Sequence, residues 1–223
     1  VPGNGVDDDC DGAVDEATTG CDANEVEPNG SIALADTLLS GTSICGVVSP
    51  TADEDTFRFT VAPWTAVTLD VDAVTGPGGS DLDSWLILMN GSGTVLDEND
   101  DAGGSLDSLL EVILVGGGTY YAEVSDADYL GGASFDYSLA LSTAPACDEV
   151  ELEPNGSASF ADPILLGDVA CGQVSGSFDN DWFSFSVTAG QTVTFDLDAL
   201  DIGSALGAQI KIYNGAGALL ADD

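Results

Sequence analysis

The chain has 223 residues, 44% of them hydrophobic, and its 40 acidic side chains against 2 basic ones give a formal net charge of −38 at pH 7. Nucleic acids bind to cationic surfaces, and Arg58 and Lys211 are the only cations, so a nucleic-acid partner is excluded and an anionic membrane surface is disfavoured. No apolar run reaches the ~20 residues that a membrane-spanning helix needs.

The acidity has two interpretations, and the composition leaves both open. A halophilic protein carries a diffusely solvated acidic surface, whereas a calcium-binding protein carries discrete sites. Asp residues cluster here in loops beside Gly and Asn, which favours Ca²⁺, a cation that takes six to eight oxygen ligands from short loops. The composition therefore predicts Ca²⁺ as the bound ion.

Residues 1–20 form a predicted Asp-rich calcium-binding linker. The stretch "NGVDDDCDGAVDE" (4–16) follows the D-x-D-x-D-G pattern of EF-hand-type loops and resembles the Asp-rich, thrombospondin type 3-like repeats of bacterial surface proteins. The spacing to the last carboxylates is shorter than in a standard EF-hand. The resemblance implies the ligands Asp7, Asp9, Asp11, Asp15 and Glu16.

The rest of the chain repeats with an offset of 126 residues, so that Cys21 aligns with Cys147. "EVEPNG" (25–30) aligns with "ELEPNG" (151–156), and "DEDTFRF" (53–59) aligns with "DNDWFSF" (179–185). The repeat predicts two domains, 21–145 and 146–223. The second stops at "LLADD", without counterparts of "LLEVILVGGGTYYAEVS" and "FDYSLALS". We expect either that the polypeptide continues or that another chain adds strands to the open edge.

Four cysteines follow the repeat, as the pairs Cys21/Cys45 and Cys147/Cys171, each 24 residues apart. Equal spacing predicts one disulfide in each domain and an oxidising compartment, with buried thiol pairs as the alternative. Cys10 is left to pair upstream, to pair between chains or to remain free.

Strand periodicity dominates both repeats. Val67, Leu69 and Val71 alternate with polar residues, as in a half-buried strand, and "SWLILMNGSGTVL" has the outline of a hairpin that turns at Asn90-Gly91. "IALADTLL" (32–39) is the one helix candidate, and we expect at most one helical turn there. Seven or eight short strands predict an all-β fold of two tandem β-sandwiches, the second incomplete.

The order "EPNGS", "CG", "D-x-D-x-F-x-F", "N-G-x-G", "DD", "GGTYYAEV" resembles the bacterial pre-peptidase C-terminal (PPC) domain, fully over 22–142 and partially over 148–223. The resemblance implies a jelly-roll-like β-sandwich, related to the collagen-binding domains of collagenases, with calcium held between an E-x-E-x-N segment and a later acidic loop. Carried over, the implied ligands are Glu25, Glu27, Asn29, Asp53 and Asp55, and in the second copy Glu151, Glu153, Asn155, Asp179 and Asp181. In an extended segment Glu25, Glu27 and Asn29 point the same way, which agrees with one shared ion.

Catalysis is not expected, because the chain has no histidine for a triad or an HExxH motif and no phosphate-binding glycine loop. The sequence predicts a non-enzymatic, calcium-binding structural or adhesive module of a secreted or cell-surface bacterial protein, with a protein or polysaccharide ligand. One alternative is an accessory substrate-binding or secretion domain of a secreted hydrolase. Another is a filament subunit that self-associates through an unpaired β-edge.

Overall fold

A computed structural model describes residues 21–73, 80–176, 178–199 and 204–223. These residues form sixteen β-strands and no α-helix, which confirms the predicted all-β class. The helix candidate 32–39 is a turn at 31–34 followed by a two-residue strand. The chain divides into two units between Ala146 and Cys147, called here the first and the second unit.

The first unit contains ten strands that build two five-stranded sheets. They are β1 Ala23–Asn24, β2 Asp36–Thr37, β3 Thr42–Val47, β4 Asp55–Val61, β5 Thr65–Ala73, β6 Ser84–Met89, β7 Val95–Asn99, β8 Leu109–Leu114, β9 Gly118–Asp126 and β10 Asp136–Pro145. One sheet has the order β1-β3-β10-β5-β8 and the other the order β2-β4-β9-β6-β7. The last two strands of the unit, β9 and β10, are therefore the central strands of the two sheets.

The two sheets enclose one hydrophobic core, as a sandwich requires. Strand β5 shows the cause, since Val67, Leu69 and Val71 are buried while the intervening Thr68 and Asp70 are half-buried on the other face. Each sheet contributes aliphatic and aromatic side chains to this core. Its largest fully buried members are Tyr137, Phe57, Leu38, Leu69, Leu82, Leu86, Leu88 and Leu139.

The predicted hairpin is present as β6 and β7. Asn90 forms the turn, because its side-chain Oδ1 accepts hydrogen bonds from the backbone N–H groups of Ser92 and Thr94 at 3.0 Å each. The hairpin places Leu86 and Leu88 in the core. The sequence pattern thus located both strands and the turn between them.

The second unit contains six short strands that form three separate two-stranded pairs. They are β11 Glu149–Val150, β12 Asp162–Pro163, β13 Ala170–Cys171, β14 Phe183–Ser184, β15 Lys211–Tyr213 and β16 Leu219–Asp222. The pairs are β11-β13, β12-β14 and β15-β16. The first two pairs keep the register of β1-β3 and β2-β4 displaced by 126 residues, since Val150 faces Cys171 as Asn24 faces Cys45.

Of the two predicted disulfides, one is present. Cys21 and Cys45 are bonded, with an S–S distance of 2.01 Å. The prediction for the second pair was wrong in this structure, because Cys147 and Cys171 are free thiols. Burial and the hydrogen bond with Cys147 raise the pKa of the Cys171 thiol to about 12, which favours the protonated thiol at neutral pH. Cys10 lies outside the described residues.

Candidate metal centre

Three carboxylates of the first unit converge at the entrance of the sandwich. Glu25 and Glu27 belong to the segment after β1, and Asp55 is the first residue of β4; one carboxylate oxygen of each lies within 4.8 Å of the others. This group is called the first site. The disulfide to Cys45 and the pairing of β1 with β3 hold the segment in place, and the Glu25 N–H donates to the Cys45 carbonyl at 2.9 Å.

Backbone and amide groups orient the two glutamates. The Val47 N–H donates to Glu25 Oε1 at 2.7 Å, and the Asn29 N–H donates to Glu27 Oε2 at 3.0 Å. Asn29 Nδ2 donates to Glu25 Oε2 at 3.3 Å, so the amide oxygen of Asn29 faces away from that bond. The E-x-E-x-N spacing therefore brings all three side chains together, as the sequence predicted.

Tyr137, at the start of the central strand β10, completes the first site from inside the sandwich. Its hydroxyl donates to Asp55 Oδ2 at 2.8 Å and lies 3.3 Å from Glu25 Oε2. Gly46 makes room for this contact, because a Cβ at position 46 would lie 2.4 Å from the Tyr137 ring and hydroxyl. Alanine at position 46 would therefore displace the tyrosine.

Burial and mutual repulsion raise the pKa values of the acidic groups at the first site. Burial and the neighbouring Glu25 charge raise the pKa of Asp55 to about 9, and burial raises the pKa of Glu25. Burial and the Asp55 charge raise the pKa of Tyr137 as well. Converging carboxylates that are buried without a basic partner destabilise the fold unless a cation or a proton neutralises them.

Unpartnered oxygens provide an independent test of whether a cation fits. Asn29 Oδ1 and Asp55 Oδ1 are buried and have no hydrogen-bond partner, although native proteins satisfy nearly all buried polar atoms. The donor set consists of carboxylate and amide oxygens, the ligands that Ca²⁺ prefers. The residues present therefore fit a hard divalent cation.

The second unit repeats this arrangement in a more exposed form. Glu151, Glu153 and Asp181 each place one carboxylate oxygen within 4.8 Å of the others, and this group is called the second site. Asn155 Oδ1 and Asp181 Oδ1 are buried without partners, as at the first site. Burial and the Glu151 charge raise the pKa of Asp181 to about 6. The same residue types thus gather twice in one chain.

Two predicted ligands lie outside these groups. The Asp53 carboxylate accepts a hydrogen bond from the Ser49 N–H at 2.9 Å, and Asp179 accepts from the Ser175 N–H at 2.7 Å. The hydrogen bond from the Ser175 backbone lowers the pKa of Asp179. Each aspartate bonds to the backbone of its own loop, Asp53 just before β4 and Asp179 at the corresponding position of the second unit. The sequence pattern cannot distinguish this role from metal binding. The Asp-rich ligands predicted within 1–20 lie outside the described residues.

The sequence pattern missed three contributors. Tyr137 lies more than 80 residues from Asp55 in the sequence, so no local motif predicts the contact between them. Asp36 Oδ2 accepts from the Val26 N–H at 2.6 Å, and Asp162 Oδ2 accepts from the Leu152 N–H at 2.8 Å. These aspartates fix the glutamate segments, and their recurrence in both repeats was a signal that could have identified them.

Comparison with known proteins finds a family match inside the first unit. Residues 53–126 match the model of the family described as the bacterial pre-peptidase C-terminal domain. The matched range covers 74 of the 223 residues. The match begins after Glu25 and Glu27, so those two residues of the first site precede the matched range.

A curated relative and two solved structures resemble the chain. It is 40% identical over 106 residues to a probable subtilase-type serine protease of Deinococcus radiodurans, across 47% of this chain and 14% of the relative, so the chain spans only a small part of that protein's length. The PPC domain of a collagenase from Bacillus anthracis is similar with a TM-score of 0.36 and 19% identity, covering 48% of this chain and 93% of that one. The structure of PliG from Aeromonas hydrophila, a periplasmic inhibitor of g-type lysozyme, is similar with a TM-score of 0.36 and 13% identity. The similarity covers 49% of this chain and 97% of PliG.

Across the described ranges, the structure contains no helix that is long and apolar enough to cross a membrane.

Proposed function

We propose that the chain is a non-catalytic, cation-stabilised accessory segment of an exported hydrolase. The observation that carries this proposal is the PPC match over residues 53–126, together with 40% identity to a probable protease of which the chain covers 14%. The comparisons favour this alternative over the structural or adhesive module that the sequence first suggested. Adhesion and filament formation stay predictions.

Export is supported by the Cys21–Cys45 disulfide, since such bonds persist in extracellular and periplasmic compartments. We propose Ca²⁺ as the cation, bound by Glu25, Glu27, Asn29 and Asp55 in the first unit and by Glu151, Glu153, Asn155 and Asp181 in the second. When bound, the ion supplies positive charge to buried carboxylates. The protein's own residues then tie the entry segment to β4, because the ligands come from both.

The cation proposal is tested by thermal unfolding of the full chain in calcium, in chelator, and in chelator with high sodium chloride. A ligand at 100 times its Kd stabilises the folded state by about 2.7 kcal/mol, which we expect to appear as a midpoint several degrees higher in calcium. Asp55→Asn should lose most of this response, whereas Asp97→Asn, an exposed carboxylate on β7, should keep it.

The halophile interpretation predicts the opposite dependence of the thermal midpoint on calcium and on sodium chloride. If sodium chloride raises the midpoint as much as calcium does, and chelation has no effect, diffuse screening rather than a site stabilises the chain. Titration calorimetry adds the stoichiometry, because Asp55→Asn and Asp181→Asn should each remove one bound ion. Retention of both ions by both variants would refute the proposed ligands.

The accessory role is tested on the parent polypeptide. An antibody raised against this chain should capture, from the producing culture, a larger polypeptide that hydrolyses peptide bonds, while the purified 223-residue chain should have no such activity. Mass spectrometry of the captured polypeptide identifies the catalytic part. A captured polypeptide made only of repeats would instead support the structural module.

A further inference from the structure

The only arginine of the chain lies in a groove without carboxylates. Arg58 projects from β4 on the outer face of its sheet, and its Nε donates to Thr37 Oγ1 at 3.0 Å. It makes no ion pair with any carboxylate in the described part of the chain. Among 40 acidic residues, a guanidinium that bonds only to a threonine keeps its other donors available.

The groove has neutral walls. It is lined by Thr37, Leu39, Arg58, Phe59, Thr60, Thr119 and Tyr121, and Leu39 is 61% exposed whereas Phe59 is buried. Hydroxyl groups, one aliphatic side chain and one guanidinium offer hydrogen bonds, apolar contact and a single positive charge. The groove therefore suits a ligand that is polar along its length and anionic at one point.

One wall of the groove is a sheet edge. Strand β2 pairs with β4 only at Phe57 and Arg58, so from Phe59 to Val61 no strand of the described residues pairs with β4 on that side. The Leu38 N–H donates to the Arg58 carbonyl on this edge, and the alternation of a strand directs the backbone groups of Thr60 the same way. Thr60 is exposed, and its N–H and C=O are placed to pair with an added strand.

The end of β2 limits how such a strand can lie. A strand that pairs with Thr60 cannot continue past Thr37, because β2 already occupies the edge there. If the added strand runs antiparallel to β4, its carboxyl end stops beside Arg58. A guanidinium binds a carboxylate through two parallel hydrogen bonds, a geometry that a terminal carboxylate satisfies.

We propose that this groove binds the C-terminal end of an extended polypeptide, with its backbone on the Thr60 edge of β4 and its terminal carboxylate on Arg58. The site is separate from the cation sites and does not depend on the proposed hydrolase. The second unit offers a natural comparison, because Ser184 and Ser186 stand where the repeat places Arg58 and Thr60.

The single arginine makes the test direct. In a ¹⁵N-labelled full chain the Nε–H group of Arg58 gives the only arginine side-chain signal of its kind. The ligand is an N-acetylated pentapeptide of alternating valine and threonine with a free C-terminus, and the control is the same peptide with a C-terminal amide. Titrations are run at 0.15 M salt, where the Debye length of about 8 Å screens distant carboxylates.

We expect the free-acid peptide to shift the Arg58 Nε–H and the Thr60 amide signals in a saturable manner, with no shifts in the second unit. Loss of a charge-assisted hydrogen-bonded pair should weaken binding at least about tenfold, both for the amidated peptide and for Arg58→Gln. Arg58→Lys, which keeps the charge but not the paired donors, should bind with intermediate affinity.

Equal binding of the acid and the amide would overturn the proposal, as would shifts at Arg58 without shifts at Thr60. A uronic-acid trisaccharide that saturates the Arg58 signal while the peptide does not would also overturn it, in favour of a glycan ligand. Because Arg58 is exposed, Arg58→Gln should retain the thermal midpoint of the parent, which separates lost binding from lost folding.

Discussion

The two units carry the same sequence motifs in the same register, yet among the residues that the structure describes only those of the first unit form a closed sandwich. In the first unit Val48 and Val71 are fully buried, whereas their repeat partners Val174 and Leu197 are 41% and 53% exposed. The three strand pairs of the second unit are counterparts of β1-β3, β2-β4 and β6-β7, none of which involves β9 or β10. The difference indicates that local motifs suffice to form the outer strand pairs and the carboxylate cluster, while the central strands create the core.

The pH dependence of stability should separate the two units most strongly. Without metal, burial raises the pKa of Asp55 from 3.8 to about 9 and that of Asp181 from 3.8 to about 6. A raised carboxyl pKa means that the folded state holds the proton more tightly. Its stabilising contribution is therefore complete below pH 4 and is lost as the pH rises through the folded value.

In chelator, the thermal midpoint should consequently fall between pH 7 and pH 9 because of Asp55, a range in which Asp181 is largely ionised. Asp55→Asn should flatten this part of the profile, and Asp181→Asn should leave it unchanged. Since Asp70, Asp83 and Glu123 also have raised pKa values through burial, the comparison with the parent chain is the measurement. A slope that persists in Asp55→Asn would contradict the assignment.

Replacing the cysteine pairs should give the next largest difference between the two units in the free energy of unfolding. Replacing Cys21 and Cys45 by serine removes a cross-link that closes a loop of 24 residues, and we expect a loss of about 3 kcal/mol in the free energy of unfolding. The matched change at Cys147 and Cys171 should cost much less, because those thiols are free. Urea unfolding measures both variants. Peptide mapping without reductant provides the check, since a Cys147–Cys171 bond would restore the original sequence prediction.

Identical truncations at repeat-related positions test the core itself. Val48→Ala removes two buried methyl groups and should destabilise the first unit by about 2 kcal/mol. Val174→Ala makes the same chemical change at an exposed position and should stay within about 0.5 kcal/mol. Equal losses in urea unfolding would mean that the second unit has a core comparable to the first.

Tyr137 provides a smaller contrast within the first site. Tyr137→Phe removes the hydroxyl that donates to Asp55, and the free energy of unfolding should fall by about 1–2 kcal/mol. Tyr120→Phe is the control, because its hydroxyl contacts the Gly116 carbonyl at the surface and should matter less. Denaturant titrations in calcium and in chelator should also show a weaker calcium response for Tyr137→Phe alone.

The alternation of apolar and polar residues predicted many of the strands. It could not predict which strands pair, because the partners lie far apart along the chain. The alternation at Val67, Leu69 and Val71 predicted their strand, because alternation is a local property of the sequence. Asn90 predicted its turn because its side chain bonds to residues close to it in the chain. The E-x-E-x-N segment likewise predicted its own convergence. The central strands β9 and β10 pair with residues that lie 32 to 99 positions away along the chain, and no local pattern encodes those partners.

At the candidate site too, the sequence predicted the residues that are close in the chain and missed the contact made by a distant one. Asp53 and Asp55 stand two residues apart and look equivalent in the sequence. Only Asp55 lies in β4 and turns inward to Glu25, while Asp53 precedes the strand and bonds to the backbone of its own loop. Strand membership decides between the two roles. Tyr137 could be assigned to the inward face of its strand, but not to the carboxylates that it contacts.

The central position of β10 has a consequence for the order of events during biosynthesis. Leu139 pairs with Ile44, so the middle of that sheet cannot form until almost the whole first unit has been synthesised. Such non-local pairing places the unit among slowly folding topologies, on a scale of milliseconds to seconds. Tyr137 arrives with the same strand, and the first site gains its last contact only at closure. A chain without β10 lacks both the central strand of that sheet and the Tyr137 contact to Asp55, so the proposed cation would bind most tightly to completed molecules.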